Sequence, residues 1–269
     1  MHSATINKLT TKDGHEFVVE LGDAADVNSF FLFSLHKAGS SMLNDMFKVV
    51  CDQLSIPVFE PEIVEFSNGV LLGSLDASVQ EYFVQRGFCF GGFRCYRPYL
   101  RGFDFGGFKK IFLIRDPRDM LVSHYFSHKF SHFIPKGELG KQMQEFRENL
   151  ANVSIDEYVL KQAKHVRSRF EEYQTRIIDR NSRVYRYEDV VFEKVSWLRS
   201  MLAFLELSLP DTESMRIAEM FDIRPEQEDP NRHARKVTPG DHVEKLKPDT
   251  ISKLNEEFAQ ILNEYGYAT

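Results

Sequence analysis

The chain has 269 residues, 42% hydrophobic and 28% charged, a balance that suits one α/β domain with a sizeable core and excludes intrinsic disorder. A formal net charge of −6 excludes a general nucleic-acid binder, which needs a broad basic surface, so any anion site has to be local. Cys51, Cys89 and Cys95 lack CxxC spacing, which argues against a disulfide framework or zinc site and for reduced thiols in or near the core.

The N-terminal stretch MHSATINKLTTKDGHEF lacks an apolar targeting segment, and no later stretch approaches membrane-spanning length, so a soluble cytoplasmic protein is expected. A hairpin is expected over residues 5–21, with Asp13-Gly14 as the turn between Ile6–Thr10 and Glu16–Leu21. The continuous apolar run Phe30–Leu35 reads as a buried parallel strand that breaks into a Lys/Gly/Ser loop and restarts as a helix from Ser41. Next comes SIPVFEPEIVEF, whose two prolines and three carboxylates predict an irregular segment. A short helix over Asp76–Arg86 and a strand over Phe88–Phe93 follow. Lys109–Ile114 repeats the opening pattern: a continuous strand runs into RDPRD and then a helix, with Asp116 as N-cap and Pro117 in the first turn. Residues 132–153 are polar and Gly-containing and read as a mobile insertion over a site. Helical patterns cover Ile155–Asn181, Val191–Leu205 and Thr212–Met220, with a strand at Arg183–Arg186 before Tyr187-Glu188-Asp189. Residues 222–247 are loop-like and carry the basic group HARK, and Pro248–Tyr265 closes the chain as one amphipathic helix. Strands alternating with helices imply a single α/β domain over 1–269, with a mainly parallel sheet and its ligand at the carboxyl ends of the strands.

A strand feeding a helix through a short loop aims successive backbone N–H groups and the positive end of the helix dipole at one point. Lys37 adds a full charge there, beside the amides of Ala38, Gly39, Ser40 and Ser41 and the two seryl hydroxyls. An anion belongs at such a point. Taken singly, each basic residue has an ordinary reading: Lys37 as a solvated loop residue, Arg115 as a capping partner of Asp119, and Arg235-Lys236 as a solvated pair.

Their order and spacing, however, resemble the PAPS-dependent sulfotransferases, which move a sulfuryl group from 3'-phosphoadenosine 5'-phosphosulfate to an acceptor. The resemblance is spread over roughly residues 30–265. LHKAGSSM stands where the family's 5'-phosphosulfate loop carries Pro-Lys-Ser-Gly-Thr-Thr-Trp. Arg115 and Ser123 in RDPRDMLVSHY keep the spacing of the Arg and Ser that bind the 3'-phosphate. Tyr187 resembles the Tyr that approaches adenine, and RKVTPGD, from Arg235 and Lys236 to Asp241, resembles the late donor-binding loop. His36 replaces a Pro, Met42 replaces the Trp that stacks on adenine, and Val237 replaces a Gly; Phe221 would supply the other aromatic face. The resemblance implies a P-loop-like α/β fold, PAPS and PAP as co-substrate and product, and no metal.

By that resemblance Lys37 neutralises the oxygen that bridges sulfur to the 5'-phosphate as the bond breaks, in an in-line displacement through a loose transition state. The acceptor is a hydroxyl or an amine; a hydroxyl acceptor also needs a base, and an amine acceptor would weaken that need. Tyr96, in RCYRP, takes the place of the family's His, while Glu60, Glu62 and Glu65 lie where glycan-modifying members carry a Glu. His124 and His128 read as surface or capping residues. Phenylalanines crowd 88–108 and 126–133, which suits either an aromatic acceptor cleft or core strands. The acceptor is left as a small molecule, a lipid or a glycan, with no nucleic-acid partner and no stable membrane insertion, and a homodimer is compatible with the reading. Two alternatives stand: a non-catalytic nucleotide sensor, and a P-loop kinase, which fits poorly because Lys37 precedes Gly39 and no Mg²⁺-binding Asp is evident.

Overall fold

The computed structural model describes residues 5–225, 227–229, 231 and 235–269. His233 and Ala234 of the HARK group lie outside the described residues.

The hairpin forms as expected: β1 (Thr5–Thr10) pairs antiparallel with β2 (Glu16–Leu21), Thr10 opposite Glu16. The rest of the chain builds one parallel sheet and its two helical layers. β3 (Phe30–Ser34) leads into α1 (Ser40–Gln53), then β4 (Val58–Phe59), α2 (Pro61–Ser67), a 3₁₀ turn at Ala77–Tyr82, and β5 (Cys89–Phe93). β6 (Lys109–Ile114) leads into α3 (Pro117–Phe126), which runs on as a π-helical turn, Ser127–Ser131, before α4 (Gly137–Asn149) and α5 (Ile155–Arg176). β7 (Ser182–Arg186) is followed by α6 (Tyr187–Val190), α7 (Lys194–Leu205), α8 (Asp211–Met220), α9 (Asp241–Lys245), α10 (Pro248–Glu257) and α11 (Ala259–Tyr265).

Strand order is β4-β5-β3-β6-β7, every neighbouring pair parallel. β3 is central because both its faces are apolar. Phe31 and Phe33 face one layer, with α3, α5 and the last two helices, while Phe30 and Leu32 face the other, with α1, α7 and α8. A strand whose five residues are all buried has no solvent face to offer an edge. After β3 the chain goes outward to β4, returns to β5, and then crosses to β6 on the opposite side. The loops that follow β5, β3 and β6 therefore splay apart at the carboxyl edge, where open α/β sheets hold their ligands.

Four expectations need correction. SIPVFEPEIVEF is regular rather than irregular, forming β4 and α2: Pro61 sits in the first turn of α2, where its missing N–H costs nothing, and Val58 and Phe59 pair with Cys89 and Phe90. The insertion at residues 132–153 carries a 13-residue helix, α4, where no helix was expected. The C-terminal helix is two, broken at Phe258, whose ring is fully buried. A short helix, α9, interrupts the 222–247 loop.

The phenylalanine run at 88–108 belongs mostly to the core. Phe90, Phe93, Phe105 and Phe108 are buried, and the rings of Phe90, Phe105 and Phe108 lie 4.8, 5.2 and 5.1 Å from that of Phe31. The three cysteines are free and buried. Among the described residues, no helix is long and apolar enough to cross a membrane.

Candidate active site

Four consecutive positions along the carboxyl edge of the sheet end in a site side chain: Arg94 after β5, Lys37 after β3, Arg115 after β6 and Tyr187 after β7. The loop after β3 is tightly wound. Ala38 N–H donates to Leu35 O at 3.0 Å, so that amide is spent inside the turn and is not free for a ligand as the sequence had suggested. Lys37 takes a left-handed backbone with φ 68 and Gly39 one with φ 95. Gly39 also lacks room for a side chain, since a Cβ there would lie 3.0 Å from the Tyr187 ring and 3.1 Å from Leu113. The loop thus stays close to the strand end and delivers the unpaired first-turn amides of α1, Ser40 to Met42, to the sheet edge. The first turn of α1 carries no acidic residue that would compete for them.

Around this helix start the charges are positive and incompletely paired. The Lys37 ammonium has no hydrogen bond or ion pair among the described residues, and burial, followed by repulsion from Arg115, Arg94 and Arg235, pushes its pKa down to about 8. Arg94 donates from Nε to Ser40 Oγ at 3.2 Å, holding the guanidinium over the first turn of α1. Arg115 is 5% exposed, its guanidinium 4.6 Å from the centre of the Tyr187 ring and 3.6 Å from Asp119 Oδ2, and its buried Nε has no partner. A buried N–H left unmade costs about 1–3 kcal/mol, more on a charged group. Ser123 stands half-buried on α3, two turns beyond Arg115.

The late loop is docked on α3 by one carboxylate. Asp119 accepts from Gly240 N at 2.7 Å and from His242 N at 2.9 Å, and its Oδ1 also lies 2.6 Å from His242 Nδ1. These bonds and the nearby Arg115 hold the Asp119 carboxyl well below its usual range despite burial. Arg235 lies over the Phe126 ring at 4.2 Å and is paired with Glu228 and Asp241, while Lys236 pairs with Glu244 at 2.6 Å and Asp241 at 3.3 Å. Both basic residues of RKVTPGD are therefore tied to carboxylates. Tyr187 closes the other side, donating its hydroxyl to Val237 O at 3.0 Å. Met42, Phe221 and Val237 are all half-buried against the same apolar layer.

The residues expected to act as base are engaged elsewhere. Glu65 is fully buried and accepts from Gly73 N and Leu75 N, both at 2.9 Å. Glu62 accepts from Arg97 at 2.8 Å and from Arg94 N at 3.1 Å, and Glu60 pairs with Lys48 at 2.8 Å. Tyr96 donates its hydroxyl to Leu100 O at 3.1 Å beneath the Arg176 guanidinium. We expect Glu65→Ala to lower stability by about 2–4 kcal/mol, because it strands buried N–H donors, and to leave nucleotide affinity of the folded fraction unchanged. Denaturant unfolding alongside calorimetry checks both halves; an unchanged midpoint would contradict the structural role.

Sequence reasoning missed two features. Arg94 ends an apolar strand as Lys37 and Arg115 do, a signal that was present and overlooked. His36, His124, His128 and His132 form a contiguous row, with ring centroids 4.5 Å apart for His36–His124, 4.8 Å for His124–His128 and 5.7 Å for His128–His132. The four-residue spacing of His124, His128 and His132 was visible; that His36 joins them from another element was not.

A sulfotransferase domain family matches residues 104–266, more than half the chain, a match that begins after the Lys37 loop. No curated protein sequence matches the chain. Among solved structures, the chain is similar to a mouse sulfotransferase complexed with PAP, with a TM-score of 0.53, 18% identity, and coverage of 89% of this chain and 86% of that one. It also aligns with a retinol dehydratase in a complex with retinol and PAP, at a TM-score of 0.49 and 15% identity over 97% and 91% of the two chains. An all-parallel sheet with a strand–loop–helix turn carrying Lys37 at its carboxyl edge and a family match over residues 104–266 lead to one conclusion: the chain belongs to the sulfotransferase domain family, and is an enzyme of PAPS-dependent sulfuryl transfer.

Proposed function

We propose that Lys37, Arg115 and the start of α1 hold the donor, and that the acceptor is a hydroxyl compound. The observation that carries this is the unbalanced charge at the sheet edge: an unpaired Lys37 and a buried Arg115 with an orphaned Nε, in a chain whose net charge is −6. Such a site repels cations and gains most from a polyanion. Lys37 and the Ser40–Met42 amides would take the phosphosulfate end. Arg115 and Ser123 would take a second phosphate, one strand along the edge from Lys37. Met42, Phe221 and Tyr187 would line the place for the base, with Arg235 and Lys236 closing from the late loop.

When bound, PAPS supplies the transferable sulfuryl group and a leaving oxygen that gains negative charge as its bond to sulfur breaks. Lys37, already close to the loop amides, stabilises that charge without reorganising, the condition under which fixed donors contribute most. Arg94 keeps Ser40 and the helix start in register through its 3.2 Å bond. The test is transfer of radiolabelled sulfate from PAPS to a panel of alcohols and phenols, with PAP release measured in parallel. Tight PAP binding with no transfer to any of them would favour a nucleotide sensor.

A pH dependence follows from Lys37. With its pKa pushed down to about 8, the free protein carries the ammonium below that pH and loses it above. PAP affinity should be flat up to about pH 8 and then fall toward tenfold per unit, because binding has to bring the proton back. Calorimetric titration across that range checks this, and the same titration of Lys37→Ala should show no such fall.

A further inference from the structure

The turns that carry Arg115 and Tyr187 are tied to one short stretch of chain. α11 ends at Gly266, whose left-handed φ of 68, with Tyr267 N–H donating back to Leu262 O at 2.8 Å, reverses the backbone. Residues 265–268 then form a strap between the turn after β6 and the turn after β7. At the first, Arg118 grips both oxygens of the Asp116 carboxylate, at 3.0 and 2.6 Å, and donates to Ala268 O at 2.6 Å. At the second, Arg186 donates to Tyr265 O at 2.9 Å and to Gly266 O at 3.0 Å. Glu188 joins the two: one of its oxygens accepts from the Asp116 N–H at 2.9 Å, the other from the Tyr267 hydroxyl at 3.2 Å. The connections close a ring, because Arg115 precedes Asp116, Tyr187 precedes Glu188, and the Arg115 guanidinium lies 4.6 Å from the centre of the Tyr187 ring.

We propose that Glu188 is a positioning residue for the donor: it fixes the turn that carries Arg115 against the turn that carries Tyr187, and the Tyr267 hydroxyl fixes Glu188 in its turn. The proposal rests on the donor assignment above.

Capping of α3 does not account for Glu188. That helix already has its cap, since Asp116 Oδ1 accepts from the Arg118 N–H at 2.9 Å. A carboxylate is also a poor choice for satisfying a single amide here. Glu188 is half-buried, and burial, with the Asp116 charge adding to it, pushes its pKa up. A neutral side chain would accept the same N–H without that desolvation. What the carboxylate supplies is two acceptors that hold groups from different parts of the chain, Asp116 at the end of β6 and Tyr267 beyond α11.

The placement matters because of what Arg115 lacks. Its buried Nε has no hydrogen-bond partner, and Asp119 stands off at 3.6 Å, so the direction of the guanidinium depends on the turn beneath it and on the Tyr187 ring. A binding group meets its ligand fully only when its support holds it to within about 0.5 Å. With Glu188 removed the β6 turn is freed on that side, while Tyr187 stays tied to Val237 O. The contact that suffers is then the one between Arg115 and the second phosphate.

The test is calorimetric titration with adenosine 3',5'-bisphosphate and with 5'-AMP, whose difference reads the second phosphate. Glu188→Ala should lower PAP affinity about tenfold or more and 5'-AMP affinity by about threefold or less. Glu188→Gln keeps an oxygen for the Asp116 N–H and should bring PAP affinity back to within about threefold of wild type. Tyr267→Phe removes only a hydroxyl, so the fold survives it, and it should cost PAP about two- to fivefold with no change for 5'-AMP. In an Arg115→Ala background neither Glu188→Ala nor Tyr267→Phe should lower PAP affinity further, since the group they position is gone. Equal losses for the two nucleotides, or the same loss with and without Arg115, would reduce Glu188 to a structural role and overturn the proposal. So would unchanged PAP affinity in Tyr267→Phe, the variant that decides the matter if Glu188→Ala does not fold. A wild type that binds the two nucleotides equally would instead overturn the donor reading beneath it.

Discussion

Replacing Lys37 by alanine is expected to lower kcat for sulfuryl transfer by roughly 10²–10³, about 3–4 kcal/mol, the loss seen when one preorganised donor to a developing charge is removed. The reason lies in what surrounds it. Lys37 has no partner that would be stranded by its removal, and burial together with Arg115, Arg94 and Arg235 disfavours its charge before any anion arrives. Deleting it should therefore leave the melting temperature unchanged or slightly higher, since a repulsive contact disappears. The left-handed backbone at this position, φ 68, strains an alanine as much as a lysine and adds no difference. Rapid-quench measurement of a single turnover, beside calorimetric unfolding, reads both quantities. A near-normal rate would place the leaving oxygen elsewhere and undo the assignment of this loop.

Arg115→Ala is expected to act on recognition. The wild type should bind adenosine 3',5'-bisphosphate far more tightly than 5'-AMP, and the variant should lose about 2–5 kcal/mol of that difference, the usual cost of removing one side of a buried charge-assisted contact. The fold should tolerate the change. Asp119 lies 3.6 Å from Arg115 but keeps its bonds from Gly240 N, His242 N and the His242 ring, so the late loop stays docked on α3. Tyr187 loses the guanidinium 4.6 Å from its ring centre but keeps its bond to Val237 O. Titration of both proteins with both nucleotides decides the matter; equal wild-type affinity for the two ligands would remove the second phosphate pocket.

The two variants also separate donor chemistry from donor binding. Lys37→Ala should reduce kcat more than PAP affinity, and Arg115→Ala the reverse, because one contact grows as the bond breaks and the other is constant throughout.

Much of this architecture was legible in the amino-acid order because it is set locally. FFLFS and KKIFLI are continuous apolar runs, and a run with no polar face has to be buried on both sides, which makes a central parallel strand. Asp116 caps α3 through the Arg118 N–H, and Pro117 occupies its first turn, so the break between β6 and α3 could be read from three residues. Lys37, Gly39 and Arg115 follow those strands directly, and their placement at one edge comes with parallel topology. SIPVFEPEIVEF misled because its prolines suggested breakage, when one of them starts a helix and the short strand is held only by pairing with Cys89 and Phe90.

What the tertiary structure alone decided is which polar groups are already satisfied. Glu60, Glu62, Glu65 and Tyr96 have the right chemistry for a base, yet each is held by a partner up to 35 residues away in the chain, such as Arg97 on Glu62. Arg235 and Lys236 looked free, and carboxylates hold both. The histidine row needed the loop after β3, α3 and a π-helical turn to meet, and α4, which Arg147 ties to that turn, came from a stretch that read as a mobile insertion. Periodicity and capping act over a few residues, so the sequence by itself determined every strand but the two-residue β4, the loop at Lys37 and the family they belong to. Hydrogen-bond satisfaction and burial are properties of groups brought together from distant positions, so only the folded chain could say which donors and acceptors were left for a substrate.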